Sequence, residues 1–172
     1  MKLSNHVALA VVVVATFFVI ERFDRKRAAD HADPSKAALL APFRLPLVGA
    51  LKGAEVTLES LAGKRTFIEF WASWCESCRQ ERPLLDRLRA ANPQASMLAV
   101  ATLDDEPSVR RSEASNPHGY PVLLDAQGTV AESVGIDAIP QSIVIDDRGR
   151  VLRHFRGPLR DIDLPVITEL LQ

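Results

Sequence analysis

Residues 65–83 read RTFIEFWASWCESCRQERP, and this stretch decides what kind of fold the chain can form. Its first part, Arg65–Ala72, is nearly all apolar and rich in residues that favour extended structure, which predicts a buried central strand. A helix is predicted to follow over Glu76–Ala91, because an Asn-Pro pair comes directly after it and ends it. Cys75 and Cys78 therefore stand where the strand passes into the helix.

The spacing of the two cysteines indicates a redox pair. They are the only cysteines of the chain, and a second cysteine placed at random would fall three residues from the first about once in eighty trials. A helix brings both to one face, within the ~4.4–6.8 Å Cα separation that a disulfide needs. Because the N–H groups of a helix N-terminus favour a thiolate, Cys75 is the predicted nucleophile and Cys78 the shielded, resolving thiol.

Two other interpretations of the pair remain open, namely small apolar residues of the core or metal ligands. A disulfide-rich scaffold is excluded, because one short-range pair cannot hold a chain of this length together. A structural zinc site of the usual four ligands would need a second pair, and the chain has none.

The residues between the cysteines favour one direction of electron flow. Glu76 places a negative charge beside the nucleophile, and Ser77 adds only a neutral hydroxyl. A thiolate that gains little stabilisation makes the reduced form less stable. The pair is therefore predicted to be reducing.

Two carboxylates are candidates for proton transfer at this pair. Glu69 lies inside the predicted central strand, on the side of Phe67 and Trp71, where a charge is costly unless it has a partner or a raised pKa. Glu81 comes three residues after Cys78 and so lies on the same side of the helix. Either is placed to accept the Cys78 proton. The alternatives are a solvent-accessible strand position for Glu69 and a solvated helix position for Glu81.

Prolines, tryptophans and histidines add further expectations. Pro140 directly precedes a predicted strand and is a candidate cis proline, and Pro83 is expected to kink the helix that contains it. Trp71 and Trp74 are expected to pack around the site, with Trp74 shielding the disulfide. The four histidines show no metal-ligand spacing and are interpreted as surface or packing residues: His6, His31, His118 and His154.

The rest of the sequence predicts alternating strands and helices. Further strands are expected at Phe43–Leu45, Glu55–Leu58, Ser96–Leu103, Pro121–Leu124, Gln141–Asp146 and Val151–Phe155. Further helices are expected at Glu106–Ala114, Gly128–Val134 and Ile162–Leu171, the last with an apolar face made of Ile162, Val166, Ile167 and Leu170. This order predicts an α/β fold with a central mixed β-sheet and helices on both faces, a thioredoxin-like arrangement.

The N-terminal residues differ in character from the rest. Val7–Ile20 has no charged residue, and Leu3–Phe23 just reaches the ~20 residues of a membrane-spanning helix. We interpret residues 1–27 as an uncleaved signal anchor and residues 28–42 as a linker to a domain at 43–172. A cleaved signal peptide and a buried core helix are the alternatives. One Lys or Arg precedes the apolar segment and four follow it, which by the positive-inside rule favours a cytoplasmic domain.

Composition excludes several classes of protein. The 21 basic and 22 acidic residues give a net charge of −1, which argues against binding to nucleic acid. Eleven prolines and eight glycines are too few for a disordered chain. No nucleotide-binding fingerprint is present, so no cofactor is predicted and electrons would have to come from another thiol protein.

The motif WASWCESCRQERP, followed by AIPQSIVIDDRGRVLRHFRG, resembles the membrane-anchored thioredoxin-like thiol–disulfide oxidoreductases of the TlpA, ResA and CcmG (DsbE) type. The resemblance extends over about residues 43–171, including VTLESLAGK and GYPVLLDAQGTVAESVGI. It implies that Cys75 is the nucleophile, that Cys78 resolves, and that Pro140 is a cis proline packed against the disulfide. Glu81 matches the acidic residue that these reductases carry shortly after the second cysteine.

The chain departs from the family pattern at several positions. Ser77 stands where the family often has proline. Glu69 stands where the family commonly has asparagine, which is the position of the buried aspartate in thioredoxin itself. The residues before Pro140 are Asp-Ala-Ile instead of the glycine-containing form typical of members that act in cytochrome c maturation.

The resemblance implies a thiol–disulfide reductase tethered to the inner membrane, with its domain in the periplasm, opposite to the orientation favoured by the flanking charges. Its expected partners are proteins with disulfides, such as apocytochrome c or copper-site proteins, and a membrane thiol donor of electrons. A disulfide oxidase or isomerase is the alternative within the same chemistry. A module in which the two thiolates bind Cu(I) is the alternative from another class.

Overall fold

A computed structural model describes residues 39–50 and 53–172. The predicted signal anchor, residues 1–27, lies outside these residues, as does the predicted linker up to residue 38. Within the described ranges, none of the helices is both long enough and apolar enough to span a membrane.

The described residues form strands and helices in the predicted order. The strands are β1 (Arg44–Pro46), β2 (Glu55–Thr57), β3 (Thr66–Trp71), β4 (Ser96–Thr102), β5 (Val122–Asp125), β6 (Gln141–Ile145) and β7 (Val151–Arg156). The α-helices are α1 (Glu76–Ala91), α2 (Glu106–Ser115), α3 (Thr129–Ser133) and α4 (Asp163–Leu171). Helix α1 has the predicted bounds and is continuous through Pro83.

The centre of the fold is a five-stranded mixed sheet in the order β5-β4-β3-β6-β7. Strand β3 pairs parallel with β4 and antiparallel with β6, so the strand that leads to the cysteines has a neighbour on each side. All six of its residues are buried, as a central strand requires. The two short strands β1 and β2 form a separate antiparallel pair. The predicted α/β fold with a central mixed sheet is confirmed.

The two faces of the sheet are covered differently. We call the side of Phe67, Glu69 and Trp71 the site face. Helices α1 and α4 cover it where their leucine and isoleucine side chains pack on Phe67, and α2 covers it through Val109 beside Trp71. The opposite face, with Ile68 and Phe70, is covered by the short helix α3 and by residues around β1. Helices therefore lie on both faces, as predicted, but most of them lie on the site face.

Two details differ from expectation. Ile162 was predicted on the packed face of the last helix, which is wrong, because it precedes α4 and its side chain is exposed, whereas Ile167 is fully buried. Leu39 and Leu40 fall in the predicted linker. The backbone N–H of Leu40 donates to the Gly149 carbonyl at 2.9 Å and its side chain joins the core. The folded part therefore includes these residues in addition to 43–172.

Candidate active site

A disulfide joins Cys75 and Cys78 at the junction of β3 and α1, with the two Cα atoms 5.3 Å apart. Cys75 is the N-cap residue of α1, in an extended backbone conformation, and its Sγ accepts a hydrogen bond from the Cys78 N–H at 3.2 Å. The Ser77 hydroxyl lies 3.5 Å from the same sulfur. The sulfur of Cys75 thus lies where the unpaired N–H groups of the helix point, which is the position that best stabilises a thiolate.

The two cysteines differ in their access to solvent. Cys75 is 5% exposed and Cys78 is completely buried. Both belong to one apolar cluster that also contains Trp71 and Val109. An incoming disulfide can therefore reach only the first sulfur, and the second can react only with the first.

Glu76 is the exposed carboxylate closest in sequence to the nucleophile. The Arg79 guanidinium and the Gln80 amide both donate to it, the latter at 3.3 Å. These bonds, Arg79 first, hold the pKa of Glu76 below its usual value. Its charge is therefore permanent at neutral pH, but Arg79 offsets it and water screens it.

The loop between β3 and α1 is held by the end of β4. The Ser73 N–H and hydroxyl donate to the two oxygens of the Asp104 carboxylate, at 2.6 and 3.1 Å. The indole N–H of Trp74 donates to the Leu103 carbonyl at 3.4 Å. Trp71 packs in the cysteine cluster as predicted, whereas Trp74 is 61% exposed and presents most of its ring to solvent.

The Ile139–Pro140 peptide bond is cis. Pro140 is buried, and Ile139 packs against the cluster that contains both cysteines. The prediction of a cis proline at this position is confirmed.

Glu69 lies inside the central strand with no exposure to solvent, so the solvent-accessible alternative for this residue is wrong. The Tyr120 hydroxyl donates to its Oε2 at 3.0 Å, and its Oε1 has no hydrogen-bond partner. Burial raises the pKa of Glu69 to about 7, against the opposing effects of the Arg82 charge and the Tyr120 hydrogen bond. Glu69 therefore titrates near neutrality.

Glu81 is also buried, so it is not a solvated helix residue. Its Oε1 accepts a hydrogen bond from the Leu159 N–H at 2.9 Å, and its Oε2 has no partner. Burial raises the pKa of Glu81 to about 7, opposed by the Leu159 hydrogen bond and reinforced by the charge of Glu69. The structure thus brings both predicted carboxylates into one buried, electrostatically coupled group.

Four further groups complete this network, and the sequence had not singled them out as functional: Arg82, His118, Glu113 and Tyr120. Arg82 is buried with its Cζ 5.3 Å from the centroid of the Trp71 ring, and it interacts electrostatically with the buried carboxylates. His118 is completely buried between Glu69 and Glu113. The one signal in the sequence was Glu69 itself, because a carboxylate inside a central strand needs polar partners. The residues next to Glu69 in the sequence did not indicate which partners these were.

Within the described ranges, no group of three or more His, Cys, Asp or Glu side chains is arranged to hold a metal ion. The network instead contains carboxylates, an imidazole and a phenol linked by contacts, together with the Arg82 guanidinium, which acts on the carboxylates electrostatically. Such an arrangement is suited to holding and moving protons close to a redox pair.

Known proteins resemble this chain in sequence. The thiol-disulfide oxidoreductase ResA of Bacillus thuringiensis is 28% identical over 113 residues, which cover 64% of this chain and 65% of that protein. The match thus spans a little less than two thirds of that relative. The sporulation thiol-disulfide oxidoreductase A of Bacillus subtilis is 26% identical over 146 residues, covering 82% of this chain and 86% of that protein.

The fold is also that of solved structures. A putative thiol:disulfide interchange protein DsbE from Chlorobium tepidum matches with a TM-score of 0.67 and 26% identity, over 78% of this chain and 94% of that one. The described domain therefore has the thioredoxin-like fold. The model of the redoxin family matches residues 33–171. Because this match includes the strand, the cysteine pair, the cis proline and the closing helix, the chain belongs to the redoxin family.

Proposed function

We propose that the chain is a thiol–disulfide oxidoreductase that reduces disulfides in partner proteins. The observation that carries this proposal is the disulfide at the N-terminus of α1, in which Cys75 keeps 5% exposure to solvent and Cys78 is fully buried. The names of the relatives and family membership support the same chemistry.

The reduced pair would react in two displacement steps. The Cys75 thiolate attacks one sulfur of a substrate disulfide, and the other substrate sulfur leaves as a thiolate. Cys78 then loses its proton and attacks the Sγ of Cys75, which forms the internal disulfide and releases the second substrate sulfur. The substrate gains two electrons and two protons, and the enzyme loses the same.

The second step needs a base, because a buried thiol must be deprotonated before it reacts. Glu69 and Glu81 are the two carboxylates we assign to this role. Each has one oxygen without a hydrogen-bond partner and a pKa raised by burial to about 7. A base whose pKa lies near the working pH is half ionised there, so it can both take up and release a proton.

The electrostatics of the site support the reducing direction. The buried network contains the carboxylates of Glu69 and Glu81 and the Arg82 guanidinium, and its Tyr120 packs against the cluster that contains Cys78. Glu76 adds a further, partly offset charge at the surface. Once both buried carboxylates are ionised, above about pH 7, their two negative charges exceed the single positive charge of Arg82. Negative charge disfavours thiolates, and a less stable reduced form is a stronger reductant.

We further propose that residues 1–27 anchor the protein in the inner membrane and that the domain works in the periplasm. The uncharged run Val7–Ile20 supports an anchor. Electrons would come from a membrane thiol protein, and the substrates would be protein disulfides, among them apocytochrome c or copper-site proteins. The test is a C-terminal fusion to a reporter enzyme that works only in the cytoplasm. Activity of that reporter would contradict a periplasmic domain.

Trapping of partners tests the proposal. Cys78→Ser leaves the nucleophile but removes the resolving thiol, so it should accumulate mixed disulfides with substrate proteins, whereas Cys75→Ser should trap none and lose activity. Failure of Cys78→Ser to trap any protein would contradict the mechanism.

The equilibrium redox potential tests the direction. A value at or below about −230 mV is expected for a reductase, and a value near −120 mV would identify an oxidase instead. Measuring the copper content of the aerobically purified protein tests the Cu(I) alternative. That alternative requires bound copper in a fixed ratio to the cysteine pair.

A further inference from the structure

A chain of contacts links Glu69 to the protein surface. The Nε2 of His118 lies 3.4 Å from Oε2 of Glu69, and the Nδ1 of the same ring lies 2.5 Å from Oε1 of Glu113. Glu69 and His118 are completely buried, whereas the Glu113 side chain is 20% exposed. The imidazole thus stands between an interior carboxylate and one that reaches water.

The hydrogen bonds define what the ring can do. The second Glu113 oxygen accepts the backbone N–H of His118 at 3.1 Å, which fixes that carboxylate against Nδ1. Nε2 has no hydrogen-bond partner and faces a carboxylate oxygen that already accepts from the Tyr120 hydroxyl. This arrangement favours the tautomer with the proton on Nδ1 and a free lone pair directed at Glu69.

We propose that His118 and Glu113 form the path by which the proton released from Cys78 leaves the interior. This rests on the proposed function and on Glu69 as the acceptor, because it is Glu69 that His118 contacts. Protonated Glu69 gives its proton to Nε2, and Nδ1 gives its own proton to Glu113, which releases it to water. Each transfer breaks one bond to hydrogen and forms another, and no electrons move.

The same path serves the other half of the catalytic cycle. When an electron donor reduces the Cys75–Cys78 disulfide, Cys78 must regain a proton. The transfers then run in reverse, from water through Glu113 and His118 to Glu69, and they restore the first tautomer of the ring. The buried ring therefore does not need to rotate between turnovers.

The surroundings of the path come from several elements. The charged or titratable groups that interact with the path or with the neighbouring Glu81 are Glu69 on β3, Glu81 and Arg82 on α1, Glu113 on α2, Tyr120 before β5 and, acting on Glu81, Asp163 on α4. Burial also raises the pKa of Glu113 to about 7, opposed by Arg82 and reinforced by Glu69. Glu69 and Glu113, the two ends of the path, therefore have similar pKa values, so a proton moves between them without a large difference in free energy.

Two substitutions of one residue test the path while retaining part of its structure. The amide of His118→Asn replaces Nδ1 and keeps a bond to Glu113, whereas the longer amide of His118→Gln reaches toward Glu69 in place of Nε2. Neither amide can accept a proton on one side and release one on the other, so each interrupts the path. Glu106→Gln is the matched control, because this exposed residue lies on the same helix as Glu113.

The experiment follows the reduced full chain, purified with detergent present, after mixing with excess oxidised glutathione. Acid quenching and mass spectrometry separate the dithiol, the mixed disulfide with glutathione and the internal disulfide, which isolates the resolution step. Both His118 variants should resolve the mixed disulfide at least about tenfold more slowly at pH 7. Their equilibrium with glutathione should stay within about twofold, because a proton path speeds both directions equally.

A wild-type resolution rate in either His118 variant would overturn the path. A slower rate accompanied by an equal shift of the equilibrium would also overturn it, because His118 would then act by stabilising one redox state. If the buried variants do not fold, Glu113→Gln interrupts the path at its half-buried end and is held to the same two criteria. Failure of glutathione disulfide to oxidise the wild-type dithiol at all would instead contradict the proposed function itself.

Discussion

The chain has acidic residues on both sides of its cysteine pair, and their surroundings give them opposite properties. Glu76 follows Cys75 directly, is exposed and binds Arg79, and its pKa lies below the usual value. Glu69 and Glu81 lie in the buried network, where burial raises the pKa of each to about 7. Burial, and not distance along the sequence from the cysteines, therefore decides which of these carboxylates has a raised pKa.

The largest expected difference between the buried carboxylates and the exposed Glu76 is in the rate at which the mixed disulfide is resolved. Replacing the carboxylate that accepts the Cys78 proton by glutamine should slow resolution of the mixed disulfide by about a hundredfold at pH 7. Glu69→Gln and Glu81→Gln, measured separately by acid quench and mass spectrometry, identify that carboxylate. Glu76→Gln is the matched control, since it changes the same group at the surface. Wild-type rates in both buried variants would remove the carboxylates from the mechanism.

The second difference concerns stability and pH. Between about pH 4.5 and 7 the folded protein keeps a proton on Glu69 that the unfolded chain has already released, so the free energy of unfolding falls as pH rises. A shift from 4.5 to about 7 corresponds to a loss on the order of 3 kcal/mol. Urea unfolding of the oxidised protein at pH 5 and pH 8 should show this loss.

Glu69→Gln separates this contribution from the others. The variant cannot ionise at this position, so it should lose less stability than the wild type over the same pH range. Glu81 has a pKa raised in the same direction, so part of the dependence should remain in the variant. A wild-type stability that rises between pH 5 and pH 8 would contradict the assignment of raised pKa values to the buried network.

The smallest expected effect is that of the exposed carboxylate on the redox potential. Glu76→Gln removes a charge beside the nucleophile, which should make the pair slightly more oxidising. Because water screens the charge and Arg79 offsets it, the shift should be less than about 20 mV in equilibration with glutathione. A shift several times larger would mean that Glu76, and not the buried network, sets the potential.

Local sequence was sufficient to predict the redox pair and the strand and helix that flank it. The apolar run of β3, the helix after Cys75 and the spacing of Cys78 depend only on neighbours along the chain, and all three have the predicted form. Pro140 was identified by its place before a strand together with the family resemblance, and its peptide bond is cis.

What the sequence alone determined is therefore the chemistry of the cysteine pair, because strand and helix periodicity and the position of a helix N-terminus are local properties. Only the tertiary structure decided which groups surround the two buried carboxylates, Glu69 and Glu81. The hydrogen bond between Tyr120 and Glu69 joins residues 51 positions apart in the sequence, and the one between Leu159 and Glu81 joins residues 78 positions apart. His118 looked like a surface or packing residue until the sheet order β5-β4-β3 brought it to Glu69. Burial and charge contacts of this kind arise from packing between distant segments, and they set the pKa values on which the proposed mechanism depends.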